Sequence, residues 1–450
     1  MAEIGYDFRA PLGQYGQVRE SYGRLRTLHS FMAAFGPEMA LMATTVGDAT
    51  DPADLKHLRV AARAAGDSGF VFINNHCRHH ALPDFRDVQL HLHQHDGRVT
   101  DLPSSPTDVP AGASFIWPVG QRLGAARLRH ATVQPLTRWD EGGGVTWVGF
   151  VVLGVRAELC FEAVTVRTLR GVPETLRRND DDGRLVVHLD AAASLPILLQ
   201  ITDTAGAEHR IVLLSQAQAD ACSRQRIAGR ERLLLCEHAL HVEGDTAVVL
   251  AHGATTVQAW PADDLGAVGV DEGFASWSDT PAAPDTLPVR WQLMCDAQQP
   301  PARRDGPFVE WRGRRVPLAP ADAAYEAGMQ LRIELDAPCP PGTRVLLSLD
   351  YLGDAARLWA DGVLVDDQFA DGQAWHIGLH RFLRDDGRWP EFRLQIVPAD
   401  PDLPIFLEEG ARRRLEAAAP QRAAVLSVEA RVWRRARLQF EAGEAPTWLA

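Results

Sequence analysis

Gly5-Tyr6-Asp7-Phe8-Arg9-Ala10-Pro11-Leu12 stands near the start of a 450-residue chain and leads into apolar residues at Val18, Tyr22, Leu25, Leu28, Met32 and Phe35. That spacing predicts an amphipathic helix over residues 18–35 with one stripe against a core. Gly36 and Pro37 supply the usual C-terminal stop. A short extended piece, a turn and a helix make one β/α unit. No second unit of this kind follows. The rest of the chain alternates short β-branched and aromatic runs with turn residues, which predicts a mainly β protein.

Working outward from the helix, residues 38–150 form a first β-region, with strands predicted at Gly69 to Asn75, Val88 to His95, Arg122 to Val133 and Val145 to Leu153. Residues 151–262 form a second, in which Gln216 to Arg226 has helical composition. Residues 263–288 are rich in Asp, Ala, Pro and Gly and are expected to be a linker. Residues 289–450 carry many short strands bounded by turns, the pattern of a sandwich or jelly roll. The fold class expected is therefore β-sandwich regions followed by a C-terminal jelly roll.

Composition sets bounds on function. A hydrophobic content of 46% and a charged content of 23% are those of an ordinary globular protein. A net charge of −13 argues against nucleic acid or an anionic membrane as partner, because both are bound through excess Lys and Arg. No apolar run is long enough to span a bilayer, and the first residues lack the basic-then-apolar profile of a signal peptide, so a cytoplasmic location is expected. Cys77, Cys160, Cys222, Cys236, Cys295 and Cys339 form no CxxC pair and suggest neither a zinc ribbon nor a disulfide framework. They are expected to be reduced and packed as small apolar groups.

The opening stretch resembles the last strand and helix of the catalytic barrel in glycoside hydrolase family 35, the β-galactosidases. The family has Tyr-Asp-Tyr-Asp-Ala-Pro-Leu here. Tyr6, Asp7, Ala10, Pro11 and Leu12 match, while Phe8 and Arg9 depart. Residues 66–75, Arg78-His79-His80 and residues 112–118 resemble the β-region after the barrel. Gly353-Asp354-Ala355-Ala356-Arg357-Leu358 and Trp375-His376-Ile377-Gly378-Leu379 resemble the family's jelly roll. The resemblance implies that residues 1–37 are a remnant of the eighth unit of a (β/α)8 barrel. It also implies that Tyr6 and Asp7 shape the wall of a sugar pocket, with Phe8 facing the sugar but lacking the hydroxyl of the family's tyrosine.

The family's chemistry needs two glutamates about 5 Å apart on other barrel strands. A whole barrel takes roughly 250 residues. Only five residues precede Tyr6, so both catalytic positions lack a counterpart, and the chain alone is expected to be inactive, with no metal or cofactor. A separately encoded barrel subunit, or self-association through the 18–35 helix, would cover that helix's apolar stripe.

Other constellations have plainer explanations. Gly66-Asp67-Ser68-Gly69 looks like the surroundings of a nucleophilic serine, yet these are turn residues before a strand, and no downstream Asp-x-x-His accompanies them. His91, His93 and His95 share one strand face without a metal-ligand spacing, so a solvated face with Leu90 and Leu92 inward explains them. Arg412-Arg413-Arg414 is expected to be a solvated helix face. Trp359, Phe369, Trp375 and Trp389 lie among Asp361, Asp366, Asp367, Asp371 and Gln373. Flat apolar platforms beside hydroxyl-binding groups suit carbohydrate, with Trp359 and Trp375 as the platform; a jelly-roll core would use the same aromatics.

Overall fold

The computed structural model describes residues 4–5, 7–47, 51, 54–78, 80–93, 97, 99–171, 183–189, 195–265, 273–282 and 284–449. The protein is mainly β: strands dominate, and among the described residues there are four α-helices.

The first sandwich faces a seven-stranded sheet against a five-stranded one. The former runs Ala43–Val46, Arg59–Ala65, Ser68–Asn74, Ser114–Leu123, Ala126–Ala131, Glu158–Glu162 and Arg184–His188. The latter runs Val166–Arg170, Ile197–Asp203, Glu208–Leu214, Gly144–Phe150 and Gln134–Glu141. Strands from both sides of residue 150 thus share both sheets, and the division of the sequence at that point falls inside one sandwich. Side chains alternating inward from each sheet, among them Leu128, Phe161, Leu199 and Ile211, fill the space between them. The run predicted as one strand from Arg122 to Val133 is two. Gly124, at φ 58°, turns the chain between them, and a Cβ there would lie 2.5 Å from the His209 ring.

The helix differs most from expectation. It spans Glu20–Met39 and passes straight through Gly36-Pro37. Its buried residues are Thr27, Phe31, Phe35 and Met39, an i, i+4 stripe. Phe31 and Phe35 stack at 5.3 Å, and Phe70 of the first sandwich meets both rings. The predicted stripe, apart from Phe35, faces outward: Val18, Leu25, Leu28 and Met32 are all more than a third exposed. Both faces carry apolar residues, and the two phenylalanines, with the larger area and a ring partner, decide which turns inward.

Between the sandwiches, Cys222–Ile227, Arg230–Leu235, Thr255–Trp260 and Ala275–Asp279 form a four-stranded sheet. The helix predicted over Gln216 to Arg226 covers only Gln216–Ala221, where Ser215 and Gln218 make a capping box. It ends because the residues from Cys222 onward alternate inside and outside and pair with Arg230–Leu235. The described part of the expected linker is not free chain either. It holds the strand Ala275–Asp279 with Leu265 and Phe274 buried.

The last sandwich pairs Thr343–Leu352, Trp375–Gly378 and Ala424–Gln439 on one side with a five-stranded sheet on the other. That sheet runs Val289–Cys295, Met329–Leu335, Phe392–Val397, Ala355–Ala360 and Val363–Phe369. Ala424–Gln439 is long enough to pair with Thr343–Leu352 over its first part and with Thr246–Ala251 over its second. One strand thereby joins the middle of the chain to its end. Tyr15 is buried in the last sandwich's core with Leu347, Trp375 and Ile377, while the helix is buried in the first. The N-terminal forty residues are therefore a strap across the molecule.

All six cysteines are free; Cys160, Cys222 and Cys236 are buried, whereas Cys295 is exposed. Burial pushes the Cys160 thiol up to about 11 and Cys222 to about 12, so both stay protonated and unreactive at neutral pH. No helix among the described residues is long and apolar enough to cross a membrane.

Candidate functional site

The strap delivers Asp7, Phe8 and Arg9 to the edge of the last sandwich. Phe8 and Arg9 sit at φ 45° and 57°, a conformation bulky residues rarely adopt, and the Ala10 N–H closes the turn onto the Asp7 carbonyl at 3.0 Å. Such strain persists only where the surroundings hold it. Here they do so on both sides. Arg9 grips the Asp371 carboxylate with two N–H groups, one of them at 2.6 Å, and donates to the Ala374 carbonyl at 3.0 Å. The backbone N–H groups of Ile4 and Gly5 donate to Asp367 Oδ1 at 2.8 and 2.7 Å. Gly5 is needed for this approach, since a Cβ there would lie 2.1 Å from the Asp367 carbonyl oxygen.

Two carboxylates are held deeper. Asp366 is fully buried and accepts from the Tyr15 hydroxyl at 2.8 Å and the Gln14 amide at 2.9 Å. Burial raises its carboxyl, and burial beside Asp366 raises the Tyr15 phenol. Asp7 shows the opposite balance. Burial would raise it, but Arg19, bonded at 2.6 and 2.9 Å, and the Gln14 N–H at 3.1 Å hold its carboxyl below the usual range. His376 is lowered by burial and by Arg9 and Arg19, so its imidazole is neutral at pH 7.

These groups enclose a cleft of about 500 Å3 between the turn and the sandwich edge. Phe8 and Phe369, 74% and 40% exposed, line it together with the more buried Trp375 and His376 and with Asp7, Arg9 and Asp371. The arrangement offers flat apolar surface beside charged and neutral hydrogen-bonding groups, the makeup of a site for a small polar ligand.

Of the residues expected at a sugar site, Asp7, Phe8 and Trp375 meet in this cleft. Tyr6 lies outside the described residues. Trp359 does not belong to the cleft. Its neighbours Leu358 and Ala360 face the core, so the alternation of the strand puts Trp359 on the opposite face, where its indole N–H donates to Gln395 at 2.7 Å. Trp375 is only 4% exposed and packs in the core, so it lines the cleft with little free surface. Trp389 is partly buried and donates to the Ala337 carbonyl at 2.8 Å. Sequence reasoning overlooked Gln14, Arg19 and His376. Arg9 had a signal, as a cation where the resembling family has an aspartate; Arg19 had none, being one arginine among many.

The other constellations are structural. Asp67 pairs with Arg127 at 2.9 Å, and the Ser68 hydroxyl accepts from Gln121 at 3.3 Å. His91 bonds Asp101 at 2.8 Å on a two-stranded ribbon, where Leu90 and Leu92 pack toward the core; His95 is outside the described residues. Among the described residues no group of three or more His, Cys, Asp and Glu could hold a metal ion. Within the basic run of the helix Glu409–Ala417, Arg412 and Arg413 are exposed as expected, whereas Arg414 is half-buried and bonds Asp350 and the Gly372 carbonyl.

No protein-family model matches the chain, and no curated protein matches it. Among solved structures, SGBP-B of the Bacteroides ovatus mixed-linkage glucan utilization locus, in complex with a mixed-linkage heptasaccharide, is 8% identical with a TM-score of 0.14. The alignment covers 62% of this chain and 73% of that one. The GH31 alpha-xylosidase of Xanthomonas citri is 10% identical, over 89% of this chain and 38% of that one, also with a TM-score of 0.14. Likeness at this level carries no argument about function, and the cleft has to be read from its own residues.

Proposed function

We propose that this chain is the non-catalytic C-terminal portion of a β-galactosidase-like glycoside hydrolase of family 35 type, and that its cleft binds a galactoside without turning it over. One observation supports the reading above others: Asp7 and Phe8, from the motif that resembles the family's sugar-pocket wall, line a single cleft with Trp375 and Asp371. Pyranose rings present an apolar face and a rim of hydroxyls. Phe8 and Phe369 suit the first; Asp7, Arg9, Asp371 and neutral His376 suit the second. The replacement of the family's aspartate by Arg9 also gains a role, since Arg9 ties the turn to Asp371.

Titration calorimetry with galactose and lactose tests this. Binding in the millimolar range or tighter is expected, with no hydrolysis of a chromogenic β-galactoside above an enzyme-free blank. Because Phe8 is 74% exposed, Phe8→Ala should leave the melting temperature unchanged and weaken binding about fivefold to tenfold, the loss of ~1 kcal/mol of ring stacking. Failure of either sugar to bind would refute the reading.

A second reading, in which a separately encoded barrel completes the enzyme, draws support from the outward stripe of the helix. Leu12, Tyr22, Leu25 and His29 line a shallow depression there. A stable complex with a co-purifying barrel subunit, lost in Leu25→Asp, is its test.

A further inference from the structure

We infer that the cleft is one end of an extended groove that holds a β-linked oligosaccharide of several units, an inference resting on the carbohydrate reading above. Three basins adjoin one another through shared lining residues. The first, of about 500 Å3, shares Phe369 and Asp371 with a second of about 460 Å3. Leu318, Ile405, Phe406 and Asp354 line that second basin. Phe406 and Glu408 are in turn common to a third basin of about 570 Å3, which His76 and His80 close. Each basin alone lies in the ~300–1,000 Å3 range of small-ligand sites, so three in adjoining succession suit a ligand longer than one or two sugar rings.

The lining alternates in chemistry along this path. Phe8, Phe369 and Phe406 are 74%, 40% and 63% exposed, and Leu318 is 47% exposed. Apolar side chains left uncovered in succession mark a binding surface. Between them stand Asp371, Asp354 and the Arg78–Glu408 pair at 2.6 Å. That pair also ties the turn near residue 78 to the segment before the helix Glu409–Ala417, so the far end of the groove is built from two regions of the chain.

Stacking faces interleaved with carboxylates match a chain of pyranoses, each of which offers an apolar face and a rim of hydroxyls. A lipid tail would press hydrocarbon against the Asp354 carboxyl and against the Arg9–Asp371 and Arg78–Glu408 ion pairs. An anionic polymer would meet a chain of net charge −13 in which Arg9 and Arg78 are already committed to Asp371 and Glu408.

The test is a length series, in which galactose and β-linked galacto-oligosaccharides of two to five units are titrated into the full chain and into Phe406→Ala. The expected result is at least a tenfold gain in affinity from galactose to the longest oligosaccharide, equivalent to ~1.4 kcal/mol. Phe406→Ala should remove most of that gain and leave galactose affinity unchanged. Equal affinity for galactose and the longest oligosaccharide would overturn the extended groove while the galactoside reading stood. A gain that survives intact in Phe406→Ala, with the fold verified by circular dichroism, would also overturn it. Absence of binding by every member of the series would overturn both.

Discussion

Replacing Asp354 with Asn should stabilise the protein at neutral pH and do nothing at pH 4. Asp354 sits in the turn between Thr343–Leu352 and Ala355–Ala360, its backbone fixed by a bond from its N–H to Val397 and one from the Ala370 N–H to its carbonyl, both 2.8 Å. Its side chain shares a small basin with Tyr351, Ile405, Leu407 and Asp400. Burial, reinforced by the Asp400 charge, pushes the carboxyl from 3.8 up to about 6. The folded state therefore keeps this proton to higher pH than the unfolded chain. Stability is lost as pH rises from about 4 to about 6, and the loss is complete above that. A shift of roughly 2 units at 1.36 kcal/mol per unit corresponds to ~3 kcal/mol. Asn keeps the shape without the charge. Guanidinium unfolding of the last sandwich, followed by tryptophan fluorescence at pH 4, 5, 6, 7 and 8, measures the difference. The two proteins should coincide at pH 4, and the variant should be ~2–3 kcal/mol more stable at pH 7. Asp400→Asn should give a smaller gain over the same pH window. A difference independent of pH, or a destabilised variant at pH 7, would mean that the carboxylate is well compensated in the folded state and that the burial argument fails.

Two further outcomes follow from the packing. Phe31→Ala should cost ~3–5 kcal/mol, because it empties a fully buried site between Phe35 and Phe70, whereas Leu28→Ala on the outward face should stay within about 0.5 kcal/mol; thermal melts of both variants decide which face of the helix is buried. Asp203→Ala should cost ~3 kcal/mol or more. Asp203 accepts from the Ala125 and Ala207 N–H groups at 2.8 and 2.9 Å and from His209 at 3.0 Å, while the Val145 N–H donating to His209 Nδ1 turns the Nε2–H toward Asp203. These bonds overcome burial and hold the Asp203 carboxyl down to about 2, so its contribution is present above about pH 4 and is lost as pH falls toward 2. A wild-type-like acid unfolding curve in Asp203→Ala would refute that account.

The strand pattern was legible because alternation is local. Ser68–Asn74 falls within one residue of the strand expected from Gly69 to Asn75, and Gly144–Phe150 lies close to that expected from Val145 to Leu153. The helix was legible in kind but not in orientation or end. Counting apolar residues favours the stripe through Leu25, Leu28 and Met32, yet the aromatic contact with Phe70 lies about forty residues away in sequence and selects the other face. Trp359 and Trp375 looked equivalent as aromatics among acidic residues. Only the register of their strands separates one facing away from the core from one packed in it.

What the sequence by itself determined is the β class, the succession of strands and the presence of one amphipathic helix near the start, since each depends on side-chain periodicity over a few residues. It also held the elements of the Asp7-Phe8-Arg9 turn and of the acidic, aromatic stretch after Trp359. Only the tertiary structure decided that these two stretches, some 360 positions apart, form one cleft. Arg9 meets Asp371, Tyr15 meets Asp366 and the Gly5 N–H meets Asp367 because the strap crosses between two sandwiches. Pairings of that sequence separation leave no local pattern; they are fixed by which surfaces must be buried together.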